Sequence, residues 1–457
     1  MSRQLTVVIL AAGQGTRMKS DLPKVLHRVG GKPMLERVYE SARALKPDAI
    51  HIVYGHGGER VKACMSHLDA RWEEQAEQLG TGHAVDQALP RIDDGQTVLV
   101  LYGDVPLIGS ATLERLVEAS AGNALGLLTA ELDDPTGYGR ILRDAAGRVQ
   151  SIVEQKDATP AQLAIGEVNT GMMAVNAGLL RGWLGNLDND NAQGEYYLTD
   201  VIARAVKDGI AVNAIATRDL AEIEGVNDRL QLARLERVLQ RRQAERLMYD
   251  GVTLRDPARF DLRGRLDCGQ DVEIDVNVVF EGHVVLGDRC YVGPNCLLKD
   301  VVIGDDARIE ANCVLESSSI GDRCLIGPFA RLRPECDLAE GVKVGNFVEV
   351  KKSAVEAGSK INHLSYVGDT LMGANVNVGA GTITCNYDGA NKHLTVIGDD
   401  VFIGSDSQLV APVTIGSGAT IGAGSTITRD VPADQLTLSR SPQQTRRGWK
   451  RPVKKKP

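Results

Sequence analysis

The 457-residue chain is poor in aromatic side chains, which make up 4% of it, and its eight cysteines never form a Cys-x-x-Cys pair. The first shortage points to a core of stacked Ile, Val and Leu. The second removes the usual sequence sign of a structural zinc site or a dithiol redox centre. No apolar run approaches the ~18 residues that a membrane-spanning helix needs. The net charge of −8, with a pI near 5.6, lacks the basic excess of a nucleic-acid binder. No signal peptide precedes the first strand, so the expectation is a cytoplasmic protein with no membrane span and no nucleic-acid partner. Apolar residues at 43% and charged residues at 25% fit a soluble globular chain, and its length implies two or three domains. One basic cluster stands out. Residues 446–457 carry seven Lys or Arg and no acid, which reads either as a solvated tail or as a phosphate-attracting flap.

What is present in excess is a six-residue period over residues 303–428. Aliphatic residues recur at Ile303, Ile309, Leu315, Ile320, Ile326, Leu332, Leu338, Val344 and Val350, then at Met372 and Val378, then from Ile397 through Ile403, Leu409, Ile415 and Ile421 to Ile427. A helix of 3.6 residues per turn would walk such a stripe around its cylinder. Short strands joined by tight turns keep it on one side, with Gly, Asn or Asp supplying the turns. The fifth hexad position is small or β-branched at Ala307, Cys313, Cys324, Ala330, Cys336, Val348, Ala419 and Ser425. Together these features predict a parallel β-helix of triangular section, with the cysteines as buried packing thiols rather than metal ligands.

The N-terminal half reads as α/β with a mostly parallel sheet. Residues 5–12 form an apolar run suited to a strand buried on both faces, and further strands are expected at 49–54, 97–102, 126–132 and 172–175. Gly13-Gln14-Gly15-Thr16-Arg17 follows the first strand and precedes a helical pattern at 35–45. Such a turn offers backbone N–H groups to a phosphate chain. It lacks the third glycine of a dinucleotide fold and the Gly-Lys-Ser/Thr of a P-loop. Arg17 and Lys24 supply two cations beside it, suited to a triphosphate. Asp104, at the end of the strand ending Tyr102-Gly103, is placed where open α/β sheets bind ligands and is a natural Mg²⁺ ligand; alternatively it starts a turn before Pro106. From 228 to 247 an apolar stripe among Arg, Gln and Glu predicts a connecting helix.

The hexad frame breaks twice, after Val350 at Lys351-Lys352 and again over 384–396, and breaks in a regular array mark loops that carry function. Between them lies His363, set in sequence among Arg333, Lys351, Tyr366, Asn377, Asn386 and Tyr387. A β-helix core would not tolerate that density of polar groups, whereas a phosphosugar would use it. Imidazole can take a proton from an amine at neutral pH, as acyl transfer to nitrogen requires.

Several motifs resemble the sugar-1-phosphate nucleotidyltransferases: Leu10-Ala11-Ala12-Gly13-x-Gly15-Thr16-Arg17-Met18, Asp21-Leu22-Pro23-Lys24, the run from Gln75 through Gly80 and Thr81, and Tyr102-Gly103-Asp104. With Gly137-Tyr138-Gly139-Arg140, Asn169-Thr170-Gly171, the run Gly194 to Asp200 and the hexad array, essentially the whole chain resembles one bacterial bifunctional family. That family joins an N-acetylglucosamine-1-phosphate uridylyltransferase to a glucosamine-1-phosphate N-acetyltransferase. The resemblance implies a Rossmann-like α/β domain at 1–229, a helical linker at 230–250, and a left-handed parallel β-helix with a basic tail at 251–457.

It also implies roles. Leu10, Ala11, Ala12, Gly13, Lys24, Gln75, Gly80, Thr81, Tyr102, Gly103 and Asp104 would contact UTP, and Gly139, Glu154 and Asn169 the N-acetylhexosamine. Asp104 and Asn227 would ligate Mg²⁺, and Arg17 and Lys24 would stabilise the leaving pyrophosphate. Read from the residues alone, Asn227 is only a polar group capping the helix that follows. In the second domain Arg333 and Lys351 would bind the phosphate of glucosamine 1-phosphate, and Tyr366, Asn377, Asn386 and Tyr387 its hydroxyls. Asn386 and Tyr387 would also border an acetyl-CoA groove lined by Ala380, Ser405, Ala423 and Arg440. His363 would be the general base, with Glu349 a candidate to orient it, and Cys385 no nucleophile. The product, UDP-N-acetylglucosamine, feeds peptidoglycan and lipopolysaccharide synthesis, and family sites of the second kind lie between subunits of a homotrimer. Two rivals stay open on the sequence: a monofunctional nucleotidyltransferase with a regulatory array, and a trimeric scaffold whose sites are relics.

Overall fold

The computed structural model describes residues 4–13, 15–55 and 57–454. Lys455 and Lys456 of the basic cluster, and the first three residues, lie outside the described residues. The chain divides into two compact units, 1–239 and 240–457.

In the first unit the strand order runs Val212–Thr217, Leu125–Glu131, Glu167–Asn176, Thr97–Tyr102, Leu5–Ala11, Ala49–Tyr54, Arg71–Glu74. Neighbours along this path are parallel except around Glu167–Asn176, which is antiparallel to both strands beside it. The expected strand at 172–175 is therefore the end of a longer element. Every residue of Leu5–Ala11 is buried, because helices cover both faces of a central parallel strand. Its pleat divides the core: Val7 and Ile9 pack with Leu35, Val38 and Leu99, while Val8 and Leu10 pack with Val85, Val98 and Val100. Leu10 pairs with Tyr102 across the sheet, and the Gly103 N–H donates to the Leu10 carbonyl. The segments leading to Gly13 and Asp104 thus leave the sheet side by side.

A helix spans Arg229–Tyr249. Its first half packs Leu235 against Met18, Val29, Met34 and Val226 of the first unit, and its second half packs Ala244 and Leu247 into the core of the second. The division between units falls inside this helix.

The second unit is a parallel β-helix: its long ladders are parallel throughout, and paired positions in most adjacent coils lie 17 or 18 residues apart, as Ile309 does from Ile326 and Ile326 from Val344, widening to 25 where the loop after Cys385 is inserted, as from Val378 to Ile403. The hexad aliphatics stack into one continuous core, and all eight fifth-position residues are buried. The array differs from the sequence reading at one point. No break follows Val350; the core continues through Val355, Ile361, Val367 and Met372. Val350 to Val355 is a five-residue step, like Leu298 to Ile303, Leu315 to Ile320 and Val367 to Met372, with a left-handed residue at each corner: Lys352, Asp300, Ser317 and Asp369. A shortened corner keeps the column in register and needs no loop. The second interruption is a true loop, leaving the strand Ile383–Cys385 and returning at Thr395–Ile397. Among the described residues no helix is long and apolar enough to cross a membrane.

Candidate active sites

At the carboxyl edge of the first sheet a cavity of about 220 Å³ is lined by Leu10, Ala11, Ala12, Gly13, Lys24, Gln75, Gly80, Thr81, Tyr102 and Asp104, among others. Two glycines shape it. Gly80 has φ +114, and a Cβ there would sit 2.6 Å from the Tyr196 carbonyl oxygen. Gly15 has φ +63, and a Cβ would sit 2.6 Å from that of Lys24, so the turn closes over the lysine only with glycine there. Gln75 is buried and donates through Nε2 to the Gly80 carbonyl at 3.1 Å. Thr81 Oγ1 accepts from the Leu198 N–H at 3.1 Å.

On one side of the cavity Lys24 Nζ lies 2.5 Å from Asp104 Oδ2 and 3.3 Å from Asn227 Oδ1. The Val226 N–H donates to the Asp104 carbonyl at 2.9 Å, which brings Asn227 to the carboxylate from a distant part of the chain. Two oxygens therefore converge on one ammonium. No group of three His, Cys, Asp or Glu suited to a metal ion occurs among the described residues. A carboxylate and an amide carbonyl fit a Mg²⁺ ion that takes its other ligands from phosphate and water. Gly139, Glu154 and Asn169 do not line this cavity; Asn169 N–H donates to the Gly139 carbonyl at 2.8 Å, and Asn169 Oδ1 accepts from Gly171 N–H at 3.0 Å. Thr199 donates to Glu154 Oε1 at 3.1 Å, and burial pushes the Glu154 carboxyl above its ordinary range. Burial, then the Glu154 and Asp104 charges, pushes the Tyr102 phenol upward as well. Arg17 stands apart. It is exposed in the turn Thr16–Met18, does not line the cavity, and has no side-chain partner among the described residues.

In the second unit His363 ends the strand Lys360–His363 and pairs across the ladder with Asn346. The His363 Nδ1 lies 2.9 Å from Asn346 Oδ1, so this nitrogen carries the proton and Nε2 keeps its lone pair. Glu349, the expected orienting group, is engaged elsewhere: it accepts from Arg333 Nη1 at 3.0 Å. The column continues above the histidine. Backbone N–H groups of Leu364, Gly381, Asp406 and Gly424 donate to the carbonyls of Asn346, His363, Ala380 and Ser405 in turn. Asn346, His363, Ala380, Ser405 and Ala423 consequently occupy one position of five successive coils, and Arg440 Nη1 donates to the Ala423 carbonyl at 2.5 Å.

The neighbouring face carries the remaining groups. Asn386 Nδ2 donates to the Tyr366 hydroxyl at 3.3 Å and to Asp369 Oδ2 at 2.6 Å. Lys392, which the sequence reading missed, extends from the loop toward Lys351. Its contact with that ammonium holds its pKa below the ordinary lysine value, partly offset by Asp369 and Tyr366. Tyr387 and Lys392 form the antiparallel bridge that closes the loop. Asn377 opens the next strand, and no contact joins its side chain to this group among the described residues. His393 is bonded to Asp388 at 2.6 Å and serves the loop itself. Cys385 is half-buried, and burial raises its thiol pKa.

Residues 7–158 match the MobA-like NTP transferase domain, 262–355 the GMPPB C-terminal domain, and 394–429 the bacterial transferase hexapeptide family with six repeats. The bifunctional protein GlmU of Methylococcus capsulatus is 60% identical over 452 residues, covering 99% of this chain and 98% of that protein. Those of Alkalilimnicola ehrlichii and Azoarcus sp. are each 59% identical over 99% of this chain, covering 97% and 100% of their own lengths. This chain belongs to the bifunctional GlmU family, enzymes of UDP-N-acetylglucosamine synthesis that pair a glucosamine-1-phosphate N-acetyltransferase with an N-acetylglucosamine-1-phosphate uridylyltransferase.

Proposed function

We propose that each unit carries one of the two reactions, on the residues gathered above. The observation that bears most weight is the convergence of Lys24, Asp104 and Asn227 beside the first cavity. UTP lies along Leu10 to Gly13, Gln75, Gly80, Thr81, Tyr102 and Gly103, and the N-acetylhexosamine lies on Gly139, Glu154 and Asn169. Mg²⁺ held by Asp104 and Asn227 would screen the phosphate charge. Lys24, exchanging Asp104 for the phosphate chain, stabilises charge on the departing pyrophosphate as the sugar phosphate attacks the α-phosphorus in line. Arg17 joins this cluster only when its turn swings toward bound triphosphate.

In the second unit Arg333, Lys351 and Lys392 hold the phosphate of glucosamine 1-phosphate, with Tyr366, Asn377, Asn386 and Tyr387 along its hydroxyls. Acetyl-CoA runs up the column Ala380, Ser405 and Ala423, with Arg440 beside its far end, which brings the thioester to the coil above His363. His363 Nε2 removes a proton from the 2-amino group as nitrogen attacks the thioester carbonyl, and the proton passes to the departing CoA thiolate. Cys385 takes no part. The protein works in the cytoplasm, where both co-substrates are made.

The same site supports a homotrimer. Phe329, Phe347 and Leu364 occupy a left-handed corner column where other coils place Asn, Asp or Gly; they are 49%, 56% and 63% exposed, with the two rings stacked at 5.2 Å. Bulky apolar residues at positive φ are uncommon, and an exposed stack of them calls for a covering surface. A second copy supplies it, and Leu364 adjoins His363.

The test is sequential. Protein given glucosamine 1-phosphate and acetyl-CoA should release free thiol, and should release pyrophosphate only once UTP and Mg²⁺ are added. Pyrophosphate from supplied N-acetylglucosamine 1-phosphate without any thiol release would remove the acetyl-transfer half of the reading.

A further inference from the structure

One guanidinium in the first unit touches the segments that carry the charged groups of the nucleotide site. Arg229 opens the helix Arg229–Tyr249, two residues beyond Asn227. Its Nε donates to the Met18 carbonyl at 3.3 Å, at the end of the turn that holds Arg17. Its Nη1 lies 3.3 Å from His27 Nδ1, which accepts from it. His27 closes the turn Lys24–Leu26: its own N–H donates to the Lys24 carbonyl at 3.2 Å, and its carbonyl accepts from Met34 N–H at 2.9 Å. The ring is only 5% exposed, so it cannot swing away from its neighbours. Arg229 is also poorly placed for the helix itself. A cation in the first turn opposes the helix dipole, although the Asp228 carboxylate just before it accepts from the Gln231 N–H at 2.9 Å and offsets part of that cost. The side chain is explained by what it joins.

We propose that Arg229 is a positioning residue for uridylyl transfer. Acting through His27, it fixes the separation between Lys24 and Asn227, and hence the place where a divalent cation and the triphosphate meet. The inference rests on the assignment of Lys24, Asp104 and Asn227 made above. A planar fork with two points of attachment does this in a way that a lysine ammonium does not.

The test uses the full chain with Arg229→Ala, Arg229→Lys, His27→Ala and Asn227→Ala. Each is assayed for uridylyl transfer and for Mg²⁺-dependent binding of UDP-N-acetylglucosamine by calorimetry, with acetyl transfer and melting temperature measured alongside. Both Arg229 variants should lower uridylyl kcat by about 10-fold or more, since small misplacements at a reacting centre cost that much. They should also weaken the calorimetric binding, leave acetyl transfer unchanged, and show losses that do not follow the melting temperature. Arg229→Ala combined with His27→Ala should be no worse than Arg229→Ala alone, because coupled residues are not additive. Wild-type kcat and binding in both Arg229 variants, or losses accounted for by unfolding at the assay temperature, would overturn the inference. If Asn227→Ala binds like wild type, the metal assignment itself fails. If Asn227→Ala weakens binding and Arg229→Ala does not, only the positioning role falls.

Discussion

Asn346 Oδ1 sits 2.9 Å from His363 Nδ1, one coil earlier in the same column of the β-helix. The amide fixes both the ring orientation and the tautomer, leaving Nε2 free for its proposed role as base. Asn346→Ala should lower kcat for acetyl transfer by about 10-fold, less than the ~10²–10⁴-fold loss expected for His363→Ala. Neither should change uridylyl transfer, and steady-state assays of both reactions check this.

The Lys351–Lys392 contact carries a pH dependence. Because Lys351 depresses the Lys392 pKa, Lys392 gives up its charge before an ordinary lysine as pH rises. The proposed phosphate site then loses one positive charge. The KM for glucosamine 1-phosphate should climb toward alkaline pH in the wild type. In Lys392→Ala it should already be raised by about 10-fold and should climb less. A pH series of KM values for both proteins decides it.

Glu154 bears on stability as well as on the proposed sugar binding. Its pKa is raised in the fold, so the folded state holds its proton to higher pH than the unfolded chain. Stability must then fall as pH rises from the ordinary value of 4.5 through the raised one. Glu154→Gln removes that slope while keeping an acceptor for Thr199. The melting temperature of Glu154→Gln relative to wild type should increase between about pH 4 and pH 7, with uridylyl transfer impaired. An offset independent of pH would contradict this account.

Ala380, Ser405 and Ala423 repeat one position on three coils, and their small side chains keep the column open. Ala423→Leu should raise the KM for acetyl-CoA on the order of 10-fold, the cost of overpacking a fitted surface, with little effect on KM for glucosamine 1-phosphate.

Much of this was legible in the sequence because the β-helix converts spacing into position. The buried aliphatics and the small fifth-position residues followed directly from the six-residue period. The Asn346–His363 pairing was within reach of the same logic: the two residues are 17 apart, the distance that separates Ile309 from Ile326. Glu349, the candidate orienting group named from the sequence, holds Arg333 instead. The expected break after Val350 is instead a pair of five-residue corners, Val350 to Val355 and Val367 to Met372, of the kind the sequence already shows from Leu315 to Ile320. Lys392 gave no periodic signal, since it lies in a loop outside the repeat. In the α/β unit the turn that buries Lys24 and the contact between Lys24 and Asn227 depend on chain closure across some two hundred residues, which no local pattern encodes. Arg17, chosen for its charge near the glycine turn, stands outside the cavity for the same reason.

On this reading one chain carries two chemically independent sites. The most direct measurement assays Asp104→Ala and His363→Ala, each verified as folded, for thiol release from acetyl-CoA and for pyrophosphate release from UTP with supplied N-acetylglucosamine 1-phosphate. The expected result is thiol without pyrophosphate from Asp104→Ala, and pyrophosphate without thiol from His363→Ala. Loss of both activities in either folded variant would contradict the account.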